Sequence, residues 1–150
     1  MRLHAREKET ACARAHEERA VRALSEVFGK RRMRLRHAAI AVLGASPRAE
    51  PGGGSMRRMQ TLLLARGAIV RTYDAARAGC ARFPTARATL HGSDAAVILS
   101  AHPPISVLKP HDFLREGVRI IVDAIGRRDK NLFLSQGLTY RDVSSQNAQV

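Results

Sequence analysis

The sequence has few of the residues that build metal centres, redox sites or base-stacking surfaces. Aromatic residues make up 4% of the chain and tryptophan is absent, so we expect an aliphatic core. The two cysteines, Cys12 and Cys80, are far apart and form no C-x-x-C pair. The six histidines never recur at the spacing of metal ligands. The sequence therefore predicts no zinc site and no cysteine redox motif.

Long apolar runs are also missing. No stretch approaches the ~20 apolar residues that cross a bilayer. The amino terminus is basic but lacks the apolar core of a signal peptide. We therefore expect a cytoplasmic protein. A chain of 150 residues is one domain by length and can fold without a disulfide or a metal.

The charge balance is strongly positive, with 26 Lys and Arg against 13 Asp and Glu and a formal net charge of +13. The excess is spread along the sequence from end to end. It favours an anionic ligand without naming one. Because aromatic residues do not alternate with the basic ones, a basic nucleic-acid-binding protein is only a weaker alternative, and we expect no nucleic-acid partner.

Short apolar runs predict strands buried on both faces. These runs are 38–44, 68–74, 94–100 and 118–124, with a possible edge strand at 138–143. Helices are predicted at 11–28 ended by Gly29, 56–66 between a Ser55 cap and Gly67, 111–116, and 130–136 after an Asp129 cap. Alternating strands and helices indicate an α/β, Rossmann-like fold. We expect an open, mainly parallel sheet of five or six strands, with helices on both faces and one helix before the first strand.

In such sheets ligands bind beyond the carboxyl ends of the strands. This points to the loop GASPRAEPGGGS (44–55). There Arg48 could bind a diphosphate bidentately, and Ser46 and the glycines would let backbone N–H groups approach the phosphates. The alternative is that the glycines are flexible filler in a decayed site. Asp74 and Asp123 end strands at the same edge, where dinucleotide-binding folds place the acid that holds a ribose hydroxyl. Because the glycine turn is missing, we interpret both as turn residues instead.

Several segments together resemble a known family. They are IAVLG (40–44), LLLARGAIVRTYD (62–74), SDAAVILSAHPP (93–104) and VRIIVDAIGRRDKNLFLSQGLTYRDV (118–143). Their order and spacing resemble the C-terminal, UDP-binding domain of the UDP-glucose/GDP-mannose dehydrogenase family. The resemblance implies an N-terminal helix and basic connector at 1–36, a UDP-binding-like domain at 37–143, and a frayed tail at 144–150. The helix at 11–28 resembles the one that leads into this domain.

The resemblance implies a ligand and a set of contacts. Members of the family oxidise the C6 alcohol of a UDP- or GDP-sugar to a carboxylate with two NAD molecules in turn, and the last domain closes over the nucleotide diphosphate. Arg48 falls where the family has a lysine, and Ser55 matches its serine. The nucleotide-sugar-binding residues implied for this chain are Gly44, Ser46, Arg48, Ser55 and Arg127.

The departures from the family are equally informative. The chain has neither a G-x-G-x-x-G turn nor the family's cysteine motif, so we expect it to bind no NAD and to be inactive alone, with NAD implied only for the full-length enzyme. The family's Asp pair is missing from 44–55, which predicts weak nucleotide-sugar binding. Possible partners are a dehydrogenase subunit that supplies the NAD domain, or a second copy of this chain. The alternative function is a non-catalytic interaction or dimerisation module, in which the N-terminal helix packs poorly on its own domain and self-associates.

Overall fold

The described residues form a parallel sheet with helices on both faces. The computed structural model describes the backbone of 2–45, 54–76 and 85–144, with side chains from residue 16 onward. Its strands are β1 (Ala39–Gly44), β2 (Ile69–Asp74), β3 (Ala95–Ile98), β4 (Ile120–Asp123) and β5 (Thr139–Asp142). All neighbouring strands pair in parallel, in the order β2-β1-β3-β4-β5. This confirms the predicted fold class and strand positions.

The helices described are α1 (Arg2–Lys30), α2 (Gly54–Ala65), α3 (Ala86–Leu90), α4 (Pro103–Ser106), α5 (Pro110–Arg115) and α6 (Lys130–Ser135). Among the described residues, no helix is long and apolar enough to cross a membrane.

The sheet is covered on both faces because its central strands are almost entirely apolar. Every residue of β1, β3 and β4 is buried, and the one charged residue among them is Asp123, at the end of β4. Alternate side chains enter two separate cores. Ile40 and Val42 join the core under α1 and α2, whereas Ala41 and Leu43 join the core under the remaining helices.

Helix α1 is part of the first core, which corrects the expectation that it packs poorly on its own domain. Val21, Leu24 and Phe28 are fully or almost fully buried there. Arg141 of β5 also forms an ion pair with Glu26, at 2.9 Å. The apolar stripe is narrow, but α2 alone does not cover this face, so α1 shields the half of the sheet that includes β4.

The end of α1 differs from the prediction at Gly29. The helix continues to Lys30, and Arg32 takes the left-handed conformation with φ 56°. The N–H of Arg32 donates to the Gly29 carbonyl at 3.1 Å, and that of Met33 donates to the Phe28 carbonyl at 2.8 Å. These two bonds are the Schellman pattern, which places the left-handed residue at Arg32.

Three further helix boundaries were predicted from local signals. Asp129 caps α6, since its side chain accepts from the N–H groups of Asn131 and Leu132 at 3.0 and 3.3 Å. Gly67 has the expected left-handed φ of 81° after α2. The Ser55 cap is wrong, because α2 begins at Gly54 and Ser55 lies inside its first turn.

Candidate functional site

The strand order reverses between the neighbouring strands β1 and β3, because β1 is followed by β2 on one side and β3 by β4 on the other. In open α/β sheets, the crevice beyond the carboxyl ends at such a point is where ligands bind. The chain leaves β1 through Gly44, whose carbonyl accepts the N–H of Ala75 at 2.8 Å. It leaves β3 through Leu99, whose N–H donates to the Leu43 carbonyl at 2.7 Å. The ends of β1, β2 and β3 are therefore tied together at this edge.

Gly44 lies under the start of α2. A Cβ at this position would stand 2.7 Å from Cγ and 2.8 Å from Sδ of Met56. Glycine therefore allows the first turn of α2 to sit directly against the end of β1. The structure gives Gly44 a packing role, and its contact with a ligand stays a prediction.

Two of the predicted site residues, Ser46 and Arg48, lie outside the described residues. Ser55 is described, and its hydroxyl donates to Glu17 Oε1 at 2.5 Å. Glu17 is only 1% exposed and also accepts from Arg58 Nε at 2.9 Å. The Ser55 hydroxyl therefore helps a buried carboxylate to join α1 to α2.

A cleft of about 390 Å³ runs between α1 and α2 beside this cluster. Its lining includes Glu17, Glu18, Arg57 and Arg58. Because Arg58 is bound to Glu17 and the lining carries both signs of charge, the cleft has no net preference for an anion.

Arg127 lies at the same edge of the sheet as Gly44. It is exposed and lines a cavity of about 70 Å³ with Ser100, Ser106, Asp123 and Arg128. The ends of β1 and β4 are two strand spacings apart, or ~10 Å. The structure therefore brings Gly44 and Arg127 to one edge, with the end of β3 between them.

Asp123 shapes the turn after β4. It is fully buried, and its Oδ1 accepts from the N–H groups of Ile125 at 2.8 Å and Gly126 at 3.0 Å. The hydroxyl of Tyr140 donates to its Oδ2. Burial, reinforced by the hydrogen bond and charge of Asp123, raises the pKa of Tyr140 above its ordinary value. Asp74 likewise accepts from the N–H of Ala76 at 3.0 Å, so both predicted turn roles are confirmed.

Arg128 is half-buried whereas Arg127 is exposed, and the sequence carries no signal that distinguishes the two. Its guanidinium donates to the Leu108 carbonyl at 2.6 Å and to the Ile105 carbonyl. It also stands 5.8 and 5.9 Å from the ring centres of Phe113 and Phe133. Burial lowers the pKa of Arg128, and the Asp123 charge opposes that shift. Arg128 therefore connects the turn after β4 to α4 and to the segment between α4 and α5.

The stretch that follows β1 lacks the G-x-G-x-x-G turn that holds a dinucleotide pyrophosphate. Among the described side chains, no group of three or more His, Cys, Asp or Glu could hold a metal ion.

Solved structures with the same fold include two enzymes of nucleotide-sugar metabolism. NDP-N-acetyl-D-galactosaminuronic acid dehydrogenase from Methanosarcina mazei Go1 matches 87% of this chain, with a TM-score of 0.67 and 20% identity. UDP-D-ManNAc dehydrogenase from Pyrococcus horikoshii matches 85%, with a TM-score of 0.69 and 21% identity. The chain has the fold of part of a nucleotide-sugar dehydrogenase.

The matches cover 29% and 30% of those two chains, so this chain spans less than a third of their length. No family model and no curated protein matches the sequence. At this identity the likeness establishes the fold, and the ligand has to be argued from the residues at the carboxyl edge.

Proposed function

We propose that this chain is a nucleotide-sugar-binding domain derived from the UDP-glucose/GDP-mannose dehydrogenase family, without the parts that bind NAD and supply the catalytic cysteine. The observation that carries the proposal is the reversal of strand order between β1 and β3, in a fold shared with two nucleotide-sugar dehydrogenases. The ligand class is a UDP- or GDP-sugar.

The residues available at that edge suit a diphosphate. The connection after Gly44 contains Arg48, whose planar fork matches phosphate oxygens, together with Ser46 and three glycines. Arg127 adds an exposed cation about two strand spacings from Gly44. The acids nearby, Asp74 and Asp123, accept hydrogen bonds from the backbone of their own turns. Because the family's Asp pair is missing, we expect a Kd of ~0.1–1 mM for UDP, or ~4–5.5 kcal/mol.

Calorimetric titration of UDP at low salt tests this site. We expect Arg48→Ala to lose about 1.5–3 kcal/mol of binding, because it removes a charge-assisted contact, and thereby to make binding undetectable. Arg22→Ala is the matched control, because Arg22 is an exposed arginine of α1 outside the proposed site.

The remaining outcomes separate the alternatives. If Arg48→Ala binds normally and Arg127→Ala does not, the ligand lies in the cavity beside β4. If the unmodified chain binds neither UDP nor GDP, the proposed function is wrong. Mixing the chain with UDP-glucose and NAD should form no NADH, because hydride transfer needs a nicotinamide site that these residues do not provide.

The length of α1 favours a second candidate, a self-association module. Glu17 contacts the first turn of α2, and α1 begins fifteen residues earlier, at Arg2. At 1.5 Å per residue, the helix therefore runs about 22 Å past that contact. A helix of this length beyond the domain is suited to pairing with another copy. Its test is the mass in solution of the chain with and without residues 1–15, and a monomer in both cases would refute it.

A further inference from the structure

The edge of the sheet opposite the candidate site gathers the segments that precede the strands. We call these segments, 30–37, 66–68, 91–94, 115–119 and 136–138, the amino edge. Backbone hydrogen bonds join these segments to one another or to the first residue of a neighbouring strand. The N–H of His37 donates to Gly67 at 2.8 Å, that of Asp94 to Ala39 at 2.7 Å, and that of Thr139 to Arg119 at 2.9 Å. Segments distant in sequence thus form one continuous surface.

This surface is strongly basic. It carries eight exposed cations: Lys30, Arg31, Arg32, Arg34, Arg36, Arg66, Arg115 and Arg119. The only acids in these segments are Asp94, which accepts from the N–H of Ala39 at 2.9 Å, and Glu116, which contacts His91 at 3.0 Å. Within the described chain, none of the eight cations is within ion-pair distance of a carboxylate. Their positive charge is therefore not neutralised.

The described part of the opposite edge has no such excess. Its residues, 44–45, 74–76, 99–102, 123–129 and 142–144, contain Asp74, Asp123, Asp129 and Asp142 against Arg127 and Arg128. A nucleotide sugar bound at the carboxyl edge would therefore not contact the amino-edge cations. They need a separate explanation.

The backbone of the amino edge is also strained where it is most basic. Among the described residues, the two non-glycine residues with positive φ are Arg32 at 56° and His37 at 69°, both between α1 and β1. Glycine would adopt either conformation without steric penalty. Strained positions that persist are often functional, and here the strained residue at the helix end carries a charge.

We propose that the amino edge binds the phosphate backbone of double-stranded nucleic acid without reading its sequence. Arginine dominates the surface, and its guanidinium fork matches phosphate oxygens. Five strands at ~4.8 Å make an edge about 19 Å wide, along which a duplex presents about 11 charges at one per ~1.7 Å. The amino-edge segments contain no Phe, Tyr or Trp, so a single strand would find no large aromatic side chains on which to stack its bases.

An anionic membrane fits this surface less well. Surface-lying elements bury a broad apolar face among the lipid headgroups. The one large hydrophobic side chain exposed within the amino-edge segments is Met33, at 38%. The surface therefore suits a partner with closely spaced phosphates whose binding does not require the burial of apolar side chains.

The experiment measures anisotropy of a labelled mixed-sequence DNA duplex of about 20 base pairs, with the full chain, between about 50 and 200 mM salt. The test variant combines Arg34→Gln, Arg66→Gln and Arg119→Gln. The control combines Arg22→Gln, Lys109→Gln and Lys130→Gln, which removes the same charge from exposed positions outside the amino edge. We expect the test variant to bind about tenfold or more weakly than the unmodified chain. The slope of log K against log salt should fall in magnitude by about 2–3, because each phosphate contact contributes about 0.9 to that slope. The control should stay within about twofold of the unmodified chain.

A second variant, with lysine at the same three positions, should retain most of the binding and so separates charge from any effect on folding. Equal losses in the test and control variants would show attraction to total charge and overturn the assigned surface. Absence of duplex binding at low salt would overturn it as well, and so would binding of poly-glutamate or phosphatidylserine vesicles in preference to DNA. None of these results depends on whether UDP binds at the carboxyl edge.

Discussion

Arg32 occupies the position at the end of α1 where glycine is usually found. The left-handed conformation costs a residue with a Cβ roughly 1–2 kcal/mol. Arg32→Gly should therefore raise the free energy of unfolding, by about 1 kcal/mol after the greater flexibility of unfolded glycine is subtracted. The urea midpoint measures the change. Arg34→Gly, at a neighbouring position without positive φ, should lower stability or leave it unchanged, and equal effects of the two would contradict the assignment.

Tyr140 and Asp123 form a buried pair that joins β5 to β4. Tyr140→Phe removes the one side-chain donor to the Asp123 carboxylate and leaves the two backbone donors in place. A hydrogen bond to a charged group contributes about 1.5–3 kcal/mol, so we expect stability to fall by that amount. Urea unfolding near neutral pH gives the value. A loss well below 1 kcal/mol would mean that the hydroxyl is not bonded to Asp123 in solution.

The same pair predicts how stability depends on alkaline pH. The pKa of Tyr140 is raised in the folded state, whereas in the unfolded chain it is about 10. Below pH ~10 both states keep the phenol proton and the stabilisation is complete. Above it only the folded state keeps the proton, so stability falls as pH rises. Urea midpoints from pH ~8 to ~11 should decline more steeply for the unmodified chain than for Tyr140→Phe.

Local chemistry predicted some of these residues correctly. Asp129 caps its helix with contacts two and three residues away, and Asp74 and Asp123 bond to N–H groups of their own turns, so neighbouring sequence suffices. Ser55 instead faces Glu17, which is 38 residues away. Arg127 and Arg128 are adjacent, and only the packing of α4 and α5 decides which one is more buried.

At the scale of elements, α1 holds the first core together. Leu24 is fully buried in the core shared with α2 and the sheet, so Leu24→Ala should lower the free energy of unfolding by about 2–5 kcal/mol. Arg22→Ala, on the exposed side of the same helix, should change it by less than about 0.5 kcal/mol. Equal and small effects would mean that α1 does not pack as described.

The strands were predictable because each is a short apolar run, and a strand buried on both faces needs no partner information to be recognised. The short helices α3 and α4 were not predicted. Each covers only one turn or slightly more, and one turn is not stable by itself. Buried Leu90 and Ile105 hold these helices against the second core.

At the scale of the molecule, the described parts of the two edges of the sheet differ in charge. The sequence spreads its cations from end to end and does not alternate them with aromatic residues, which made nucleic acid only a weaker alternative. The fold changes this interpretation because it aligns the residues before each parallel strand at one edge. Eight cations from three segments then share a surface, while the acids of the described turns lie at the other edge.

The sequence alone determined the α/β class and the four main strands, because these follow from apolar runs and from the glycines and prolines that mark the turns between them. It also predicted the edge at which a ligand would bind, since parallel strands share their carboxyl ends. Only the tertiary structure decided the burial of α1, the role of Ser55 and the difference between Arg127 and Arg128. Those outcomes depend on contacts between residues far apart in the chain, which periodicity and local propensity do not encode.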